Sequence, residues 1–364
     1  KNEIKLDEGW YDIQMIREDA VTFTILLPLH QTGFFQAKCF FIPEHQPVPV
    51  WPEGDNCIIN VEPAGTCCAN IIYNAFVRQF GPARTAPGKG LDRSLVPLME
   101  TLDANGFTVI PESGKFRDLR DQVGFIFSTL GCRALHLLPI HPTPTTYARM
   151  GRFGSPYAAL NFTDVDPALA RFDPAATPLE QFMELVDAVH YHNGYLILDI
   201  AINHTGWAAA IHETHPEWLT RGEDGHIEAP GAWGVVWADL TKLDYSHTDL
   251  WQYMANIFLL WCHRGVDGYR CDAGYMIPVD AWEYMVAKVR QEYPDTLFLL
   301  EGLGGPLKTT REILGRGNFN WAYSELFQHY TREEITRYLP FALEVSDTCG
   351  HMIHYAETHD NNRL

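Results

Sequence analysis

Three carboxylates stand just past short apolar runs: Asp272 in GVDGYRCDA, Glu301 in TLFLLEG and Asp360 in HMIHYAETHDNN. Cleaving a glycosidic bond with retention needs one carboxylate as nucleophile and a second carboxyl as acid then base, about 5 Å apart. Arg270 lies two residues before Asp272 and so on the same strand face, where its guanidinium is expected to hold that carboxylate ionised, as a nucleophile requires. Glu301 ends so apolar a run that desolvation is expected to raise its pKa toward that of a general acid, and Gly302 leaves room for substrate beside it. LDIAINHTG adds Asp199, Asn203 and His204, and His359 precedes Asp360. Each has an ordinary reading alone: a helix cap, a surface ion pair, a satisfied histidine, or an Asp199 that merely binds Arg270. All of those readings would have to hold together. Cys271 adjoins Asp272, but strand alternation turns it to the opposite face, so it is not read as the nucleophile.

An acid that directly follows a strand sits at the strand's carboxyl end, which in an α/β barrel is where the chemistry is done. Seven strand-like runs occur: NIIYNAFVRQF, CRALHLLPI, GYLILDIAI, GVDGYRC, TLFLLE, a weaker one near NFNWAYSELF, and HMIHYAE. Helical stretches separate them, which implies parallel pairing through crossover helices. In PLEQFMELVDAVHYHNG, Phe182, Leu185, Val186 and Val189 recur at helical spacing and Gly194 can close the end. In HTDLWQYMANIFLLWCHRG, Trp251, Met254, Ile257, Phe258 and Trp261 form a stripe that belongs to the core rather than to a cofactor. The expected fold is an α/β (β/α)8 barrel over residues 70–364, apparently cut short after strand 7, with a short inserted segment at about 205–245. The alternating runs and Pro/Gly clusters of residues 1–69 predict a small leading β-sandwich, in which Trp10 and Trp51 are read as packing residues.

Composition narrows the partners. A net charge of -19 over 364 residues excludes nucleic acid and anionic membranes as natural partners and favours a neutral ligand. The eight cysteines show no CxxC metal spacing and read as buried free thiols in a reducing compartment. No apolar run of about eighteen residues occurs, and KNEIKLDEGW has no signal-peptide core, so the chain reads as a soluble, cytoplasmic protein.

Four segments resemble, in order and spacing, the four signature regions of the α-amylase family, glycoside hydrolase family 13: LDIAINH, GVDGYRCDA, TLFLLEG and AETHDNNR. IIYNAFVRQFG and GCRALHLLPI look like that family's first two barrel strands, and GSPYAALNFTDVDP like the segment whose tyrosine, here Tyr157, stacks under the sugar. The resemblance implies that Asp272 is the nucleophile, Glu301 the acid/base, and Asp360 the carboxylate that grips sugar hydroxyls and stabilises the transition state. Arg270, His204 and His359 would bind the sugar, with Tyr157 and Asp199 completing the subsite. No organic cofactor is implied; the resemblance raises Asn203 as a calcium ligand, with partners from an inserted domain that is short here.

The implied activity is hydrolysis or transglycosylation of α-1,4-glucans or malto-oligosaccharides through a covalent glycosyl-enzyme. HPEWLTRGEDGHIE and IPVDAWEYMVAKVRQEYPDTLFLLEG are also similar to segments of bacterial maltosyltransferases that use maltose 1-phosphate, which stands as an alternative. A noncatalytic glucan-binding protein is the third reading. Two departures bear on specificity. Tyr275 and Met276 stand where many amylases have Lys-His, and Ala273 and Ile277 where the maltosyltransferases usually have Asn and Lys.

Overall fold

The computed structural model describes residues 10–45, 47–67, 71–81, 93–107, 110, 112–328, 331–355 and 357–360. Seven parallel strands form one sheet: β1 Ile72–Ala75, β2 Ala134–Leu137, β3 Tyr195–Ile200, β4 Gly268–Cys271, β5 Leu297–Leu300, β6 Trp321–Tyr323 and β7 His351–Ile353. They pair strictly in chain order, β1 to β7, which is the topology that repeated βα units produce. All seven predicted strands are present, as the curled, incomplete wall of a (β/α)8 barrel.

Alternation along each strand divides the buried residues into two cores. Leu135, Leu198, Ile200, Tyr269, Cys271, Phe298 and Leu300 join the larger core beneath the helices. Ala134, Ile197, Leu297, Leu299, Trp321 and Tyr323 make a smaller one on the other, inner face. The polar residues Asp199, Arg270 and Glu301 share the inner-face parity, and all three are buried.

The helices follow from local sequence. α1, Pro178–Tyr191, starts at Thr177 with a reciprocal capping box to Glu180 and Pro in its first turn, and buries Phe182, Leu185, Val186 and Val189. Its end differs from expectation. Asn193 takes the left-handed conformation (φ 54°), whereas Gly194 is required because the Phe127 ring packs against it. α2, Thr248–His263, buries Met254, Ile257, Phe258 and Trp261, with Trp251 half-buried. α3 Val279–Glu292, α4 Leu307–Gly315 and α5 Arg332–Thr348 follow β4, β5 and β6.

The leading segment departs from the predicted sandwich. Among the described residues its strands form two separate antiparallel pairs, Ile16–Arg17 with Phe23–Thr24 and Gly33–Ala37 with Cys57–Val61. None of its described residues before Ala75 enters the buried hydrophobic core, so two facing sheets with an interior of their own are not formed there. Instead the second pair docks on the barrel through Asn60, which donates to the Cys349 carbonyl at 2.8 Å, and through Thr32, which donates to the Pro294 carbonyl. Trp10 and Trp51 are exposed, at 67% and 52%, rather than packed inside, although Trp51 lies against the Phe40 ring. The expectation of buried thiols also fails in part: Cys39 and Cys57 are exposed, while Cys132, Cys262 and Cys271 are buried.

Within 205–245, His204–Gly206 pairs with Leu240–Lys242, and a small hairpin joins Gly231–Ala232 to Val235–Val236.

Candidate active site

The register of three adjacent strands builds the site. Arg270 on β4 is paired with Asp199 on β3 and with Leu299 on β5. Two residues further along, Asp272 and Glu301 therefore project from neighbouring strand ends at one level and on one face. Parallel neighbours lie about 4.8 Å apart, which suits the roughly 5 Å between the two carboxyls of a retaining glycosidase. The turn after β4 completes the link. Ala273 is held in the left-handed conformation (φ 44°), and its N–H donates to Glu301 Oε2 at 2.6 Å. The N–H of Leu303 donates to Glu301 Oε1 at 3.2 Å.

Arg270 is the hub, buried to 1% exposure. Its Nη1 donates to both oxygens of Asp199, at 2.9 and 3.1 Å, and to Asp272 Oδ1 at 2.5 Å. Its Nη2 lies 3.9 Å from Asp360 Oδ2. Tyr157 and Tyr323 flank the guanidinium, with ring centroids 5.9 and 5.6 Å away. Tyr157 donates to Asp199 Oδ2 at 3.0 Å, contacts His359 Nε2 at 2.6 Å and stacks near-parallel to that imidazole. His359 in turn lies 3.2 Å from Asp360. The structure thus gathers Asp272, Glu301, Asp360, Arg270, Asp199, Tyr157 and His359 in one contiguous network. His204 joins through its Nε2, 3.1 Å from the Tyr157 carbonyl.

Electrostatics modify the expectation for the nucleophile. Burial, together with the charges of Asp199 and Glu301, outweighs Arg270 and pushes Asp272 up to about 8. The guanidinium is shared: Asp199, though buried, is held low by Arg270 and His136 and takes much of its charge. Glu301 is raised as expected, by burial. Each carboxyl thus favours its protonated form more than an exposed one would, and the Glu301 charge opposes ionisation of Asp272. Burial lowers His204 to about 4, so it is a neutral donor or acceptor. Burial raises the Cys271 thiol well above its ordinary value, and its side chain lies in the helix-side core.

Polar atoms without partners collect here as well. Arg270 Nε, His359 Nδ1 and His204 Nδ1 are buried with no hydrogen-bond partner. Groups of this kind are costly in a core and suit a hydroxyl-rich ligand. Asn203 donates its amide N–H to the Met276 sulfur at 3.2 Å, which leaves its Oδ1 buried without a partner. No group of three His, Cys, Asp or Glu arranged for a metal occurs among the described residues. The room expected beside Gly302 is also occupied, since a Cβ there would lie 3.0 Å from Thr310 Oγ1.

Sequence reasoning missed the support beneath Asp199. His136 Nε2 lies 3.2 Å from Asp199 Oδ2, and Asn74 Nδ2 lies 2.7 Å from His136 Nδ1. The signal was available: His136 in ALHLL and Asn74 in IIYNAF are polar residues inside apolar strands, which a barrel interior uses and a helix-covered face does not.

Relatives carry the same theme. No protein-family model matches the chain. It is 28% identical over 265 residues to an α-1,4-glucan:maltose-1-phosphate maltosyltransferase of Cereibacter sphaeroides, covering 68% of this chain and 38% of that protein. It is 28% identical over 288 residues to the Rhodospirillum rubrum protein of the same name, covering 72% of this chain and 41% of the relative. The chain thus spans about two fifths of the length of these curated relatives. Among solved structures, an α-amylase from Lactobacillus plantarum superposes with a TM-score of 0.62 at 27% identity, covering 81% of this chain and 64% of that one. Similarity to these proteins thus extends over about 70% of the chain in sequence and 81% in fold.

Proposed function

We propose that this chain is an α-amylase-family retaining enzyme that acts on α-1,4-glucans by double displacement. Asp272 attacks the anomeric carbon while Glu301 protonates the departing oxygen. Glu301 then takes the proton of the incoming water or sugar hydroxyl as the bond to Asp272 breaks. Asp360, 54% exposed in its side chain at the edge of the network, binds sugar hydroxyls together with His359 and His204. Tyr157 supplies the ring under the sugar, and Asp199 positions Arg270. No step needs a metal or an organic cofactor. The observation that carries this reading is the placement of Asp272 and Glu301 at one level on adjacent strands, with Arg270 2.5 Å from Asp272.

A second reading has its own support in the two bacterial relatives, whose names specify maltose 1-phosphate as donor and an α-1,4-glucan as acceptor. Under it, the same two acids transfer a maltosyl unit and release phosphate. We place the protein in the cytoplasm, a reading supported by the unpaired thiols Cys262 and Cys271. A noncatalytic glucan-binding role is disfavoured by the retention of all three acids.

Product analysis on maltoheptaose, with and without inorganic phosphate and beside Asp272→Asn, tests these readings. Shorter glucans in water alone mark a hydrolase. Redistribution to longer and shorter chains marks a transglycosylase, and maltose 1-phosphate formed only with phosphate marks the maltosyltransferase. No product from any arm, with the wild type matching Asp272→Asn, refutes the proposal.

A further inference from the structure

A row of inward-facing polar side chains crosses four adjacent strands: Asn74 on β1, His136 on β2, Asp199 on β3 and Arg270 on β4. Strand register makes the row. Asn74 is paired with His136, His136 with Ile197 two residues before Asp199, and Asp199 with Arg270. The rest of this inner face is apolar, with Ala134, Ile197, Leu299 and Trp321 packed together. His136 is buried to 1% exposure in that setting, where an apolar side chain would need no partner. Both of its ring nitrogens are bonded, so the imidazole is held in one orientation.

The bonds fix its tautomer. Asn74 Nδ2 carries only protons, so at 2.7 Å from His136 Nδ1 it donates and that nitrogen accepts. The imidazole proton then sits on Nε2, which donates it to Asp199 Oδ2 at 3.2 Å. Asp199 therefore draws on Arg270 at both oxygens, on Tyr157 and on His136. The donor in demand is Arg270 Nη1, which also serves Asp272 Oδ1 at 2.5 Å. Each further donor to Asp199 lessens the pull of that carboxylate on the guanidinium and leaves more of it for Asp272.

We propose that His136 is a positioning residue for the nucleophile: by donating to Asp199, in an orientation set by Asn74, it keeps the Arg270 guanidinium divided between Asp199 and Asp272. Removing the donor draws Arg270 toward Asp199 and makes ionisation of Asp272 harder. This rests on the retaining mechanism above and adds what holds its nucleophile in the attacking, ionised form. Facing Asp272 are Arg270 on its own strand, Asp199 on β3 and Glu301 on β5, with Tyr157, Tyr275 and Asp360 beyond them. Facing His136 are Asn74, Asp199 and the His359 ring, edge-on at 6.3 Å. Asp199 belongs to both sets, so His136 acts on Asp272 through it.

The test measures fluoride release from α-maltosyl fluoride by the full chain between about pH 4 and 9. Fluoride departs with little need of a proton, so the acid limb of kcat/KM reports ionisation of the nucleophile rather than the state of Glu301. His136→Phe keeps a planar ring of similar size and removes both nitrogens. It is expected to move that limb up by about half a pH unit or more, the scale of one hydrogen bond to a charged group passed on through a second. Well above the limb its kcat/KM should return to within about threefold of wild type, which a merely weakened fold would not do. His136→Gln can place an amide N–H near the Nε2 position and is expected to bring the limb back to within about 0.2 unit of wild type. A folded His136→Phe whose limb stays within about 0.2 unit of wild type overturns the proposal whatever its rate, and so does a His136→Gln displaced as far as His136→Phe. Should His136→Phe fail to fold, as seen by circular dichroism, Asn74→Ala is read in its place: freeing the tautomer should displace the limb in the same direction by less, and an undisplaced limb overturns the proposal. Absence of fluoride release by the wild type, or equal release by Asp272→Asn, overturns the underlying mechanism as well.

Discussion

Replacing Asp272 by Asn is expected to abolish turnover and to make the protein more stable at neutral and alkaline pH. The reason lies in the charge count around Arg270. One guanidinium faces Asp199 at 2.9 Å and Asp272 at 2.5 Å, with Glu301 on the neighbouring strand end. With all three acids ionised the cluster carries two uncompensated negative charges, and the Asp272→Asn substitution removes one. Asp272 is pushed from an ordinary 3.8 to about 8, so the folded state holds its proton where the unfolded state has lost it. Stability from this group is therefore full below about pH 4 and is lost progressively as pH rises toward 8. At about 1.4 kcal/mol per pH unit the loss has an upper bound of roughly 6 kcal/mol. Coupled titration with its neighbours and local relaxation make the effect smaller, on the order of 2 kcal/mol. For a chain of this length this is a rise in Tm of about 3 °C at pH 8. Thermal unfolding of wild type and Asp272→Asn from pH 4 to 8 measures it. Curves that coincide at pH 4 and separate toward pH 8, with the variant higher, are expected. A variant that is less stable at pH 8, or a difference independent of pH, would refute the charge argument.

Three further outcomes follow from the same structure. Asp199→Ala removes the main partner of a fully buried Arg270 along with bonds to His136 and Tyr157, and should cost about 3 kcal/mol or more in chemical denaturation. His141 and His204 are both lowered to about 4 by burial. The unfolded state therefore binds more protons between about pH 6.5 and 4, and stability falls on acidification by about 1.4 kcal/mol per pH unit for each. Asp272 opposes this trend, so the slope should be steeper in Asp272→Asn; an unchanged slope in that background would contradict the assignment. Gly114→Ala places a methyl 2.3 Å from the carbonyl oxygens of both Val77 and Phe80, and should destabilise by about 2 kcal/mol, read as a lower Tm.

The barrel and its acids were legible because each depends on local pattern. A strand such as TLFLLE is apolar on both faces only when helices cover one side and a barrel interior the other, and the acid ending it must then face the interior. Parity alone put Arg270 with Asp272 and sent Cys271 to the opposite face. What depends on distant partners was less legible. The leading strands alternate as sandwich strands do, yet the second pair rests on the barrel, because Asn60 and Thr32 find backbone acceptors there. Gly302 was read as open space but faces Thr310 from α4, a contact that only the folded path of that helix creates. The charge state of Asp272 escaped for a related reason. Sequence offers Asp272 and Asp199 as separate partners for Arg270, whereas the register of β3 against β4 gives one guanidinium to both at once.

The central claim is that Asp272 and Glu301 work as the nucleophile and acid/base of a retaining pair. Proton NMR of the first sugar released by the full chain from α-maltosyl fluoride in water tests it most directly, because the anomer is seen before mutarotation. The account predicts α-maltose as the initial product, absent with Asp272→Asn. β-Maltose as the initial product would contradict it, since inversion requires a water between more widely spaced carboxyls.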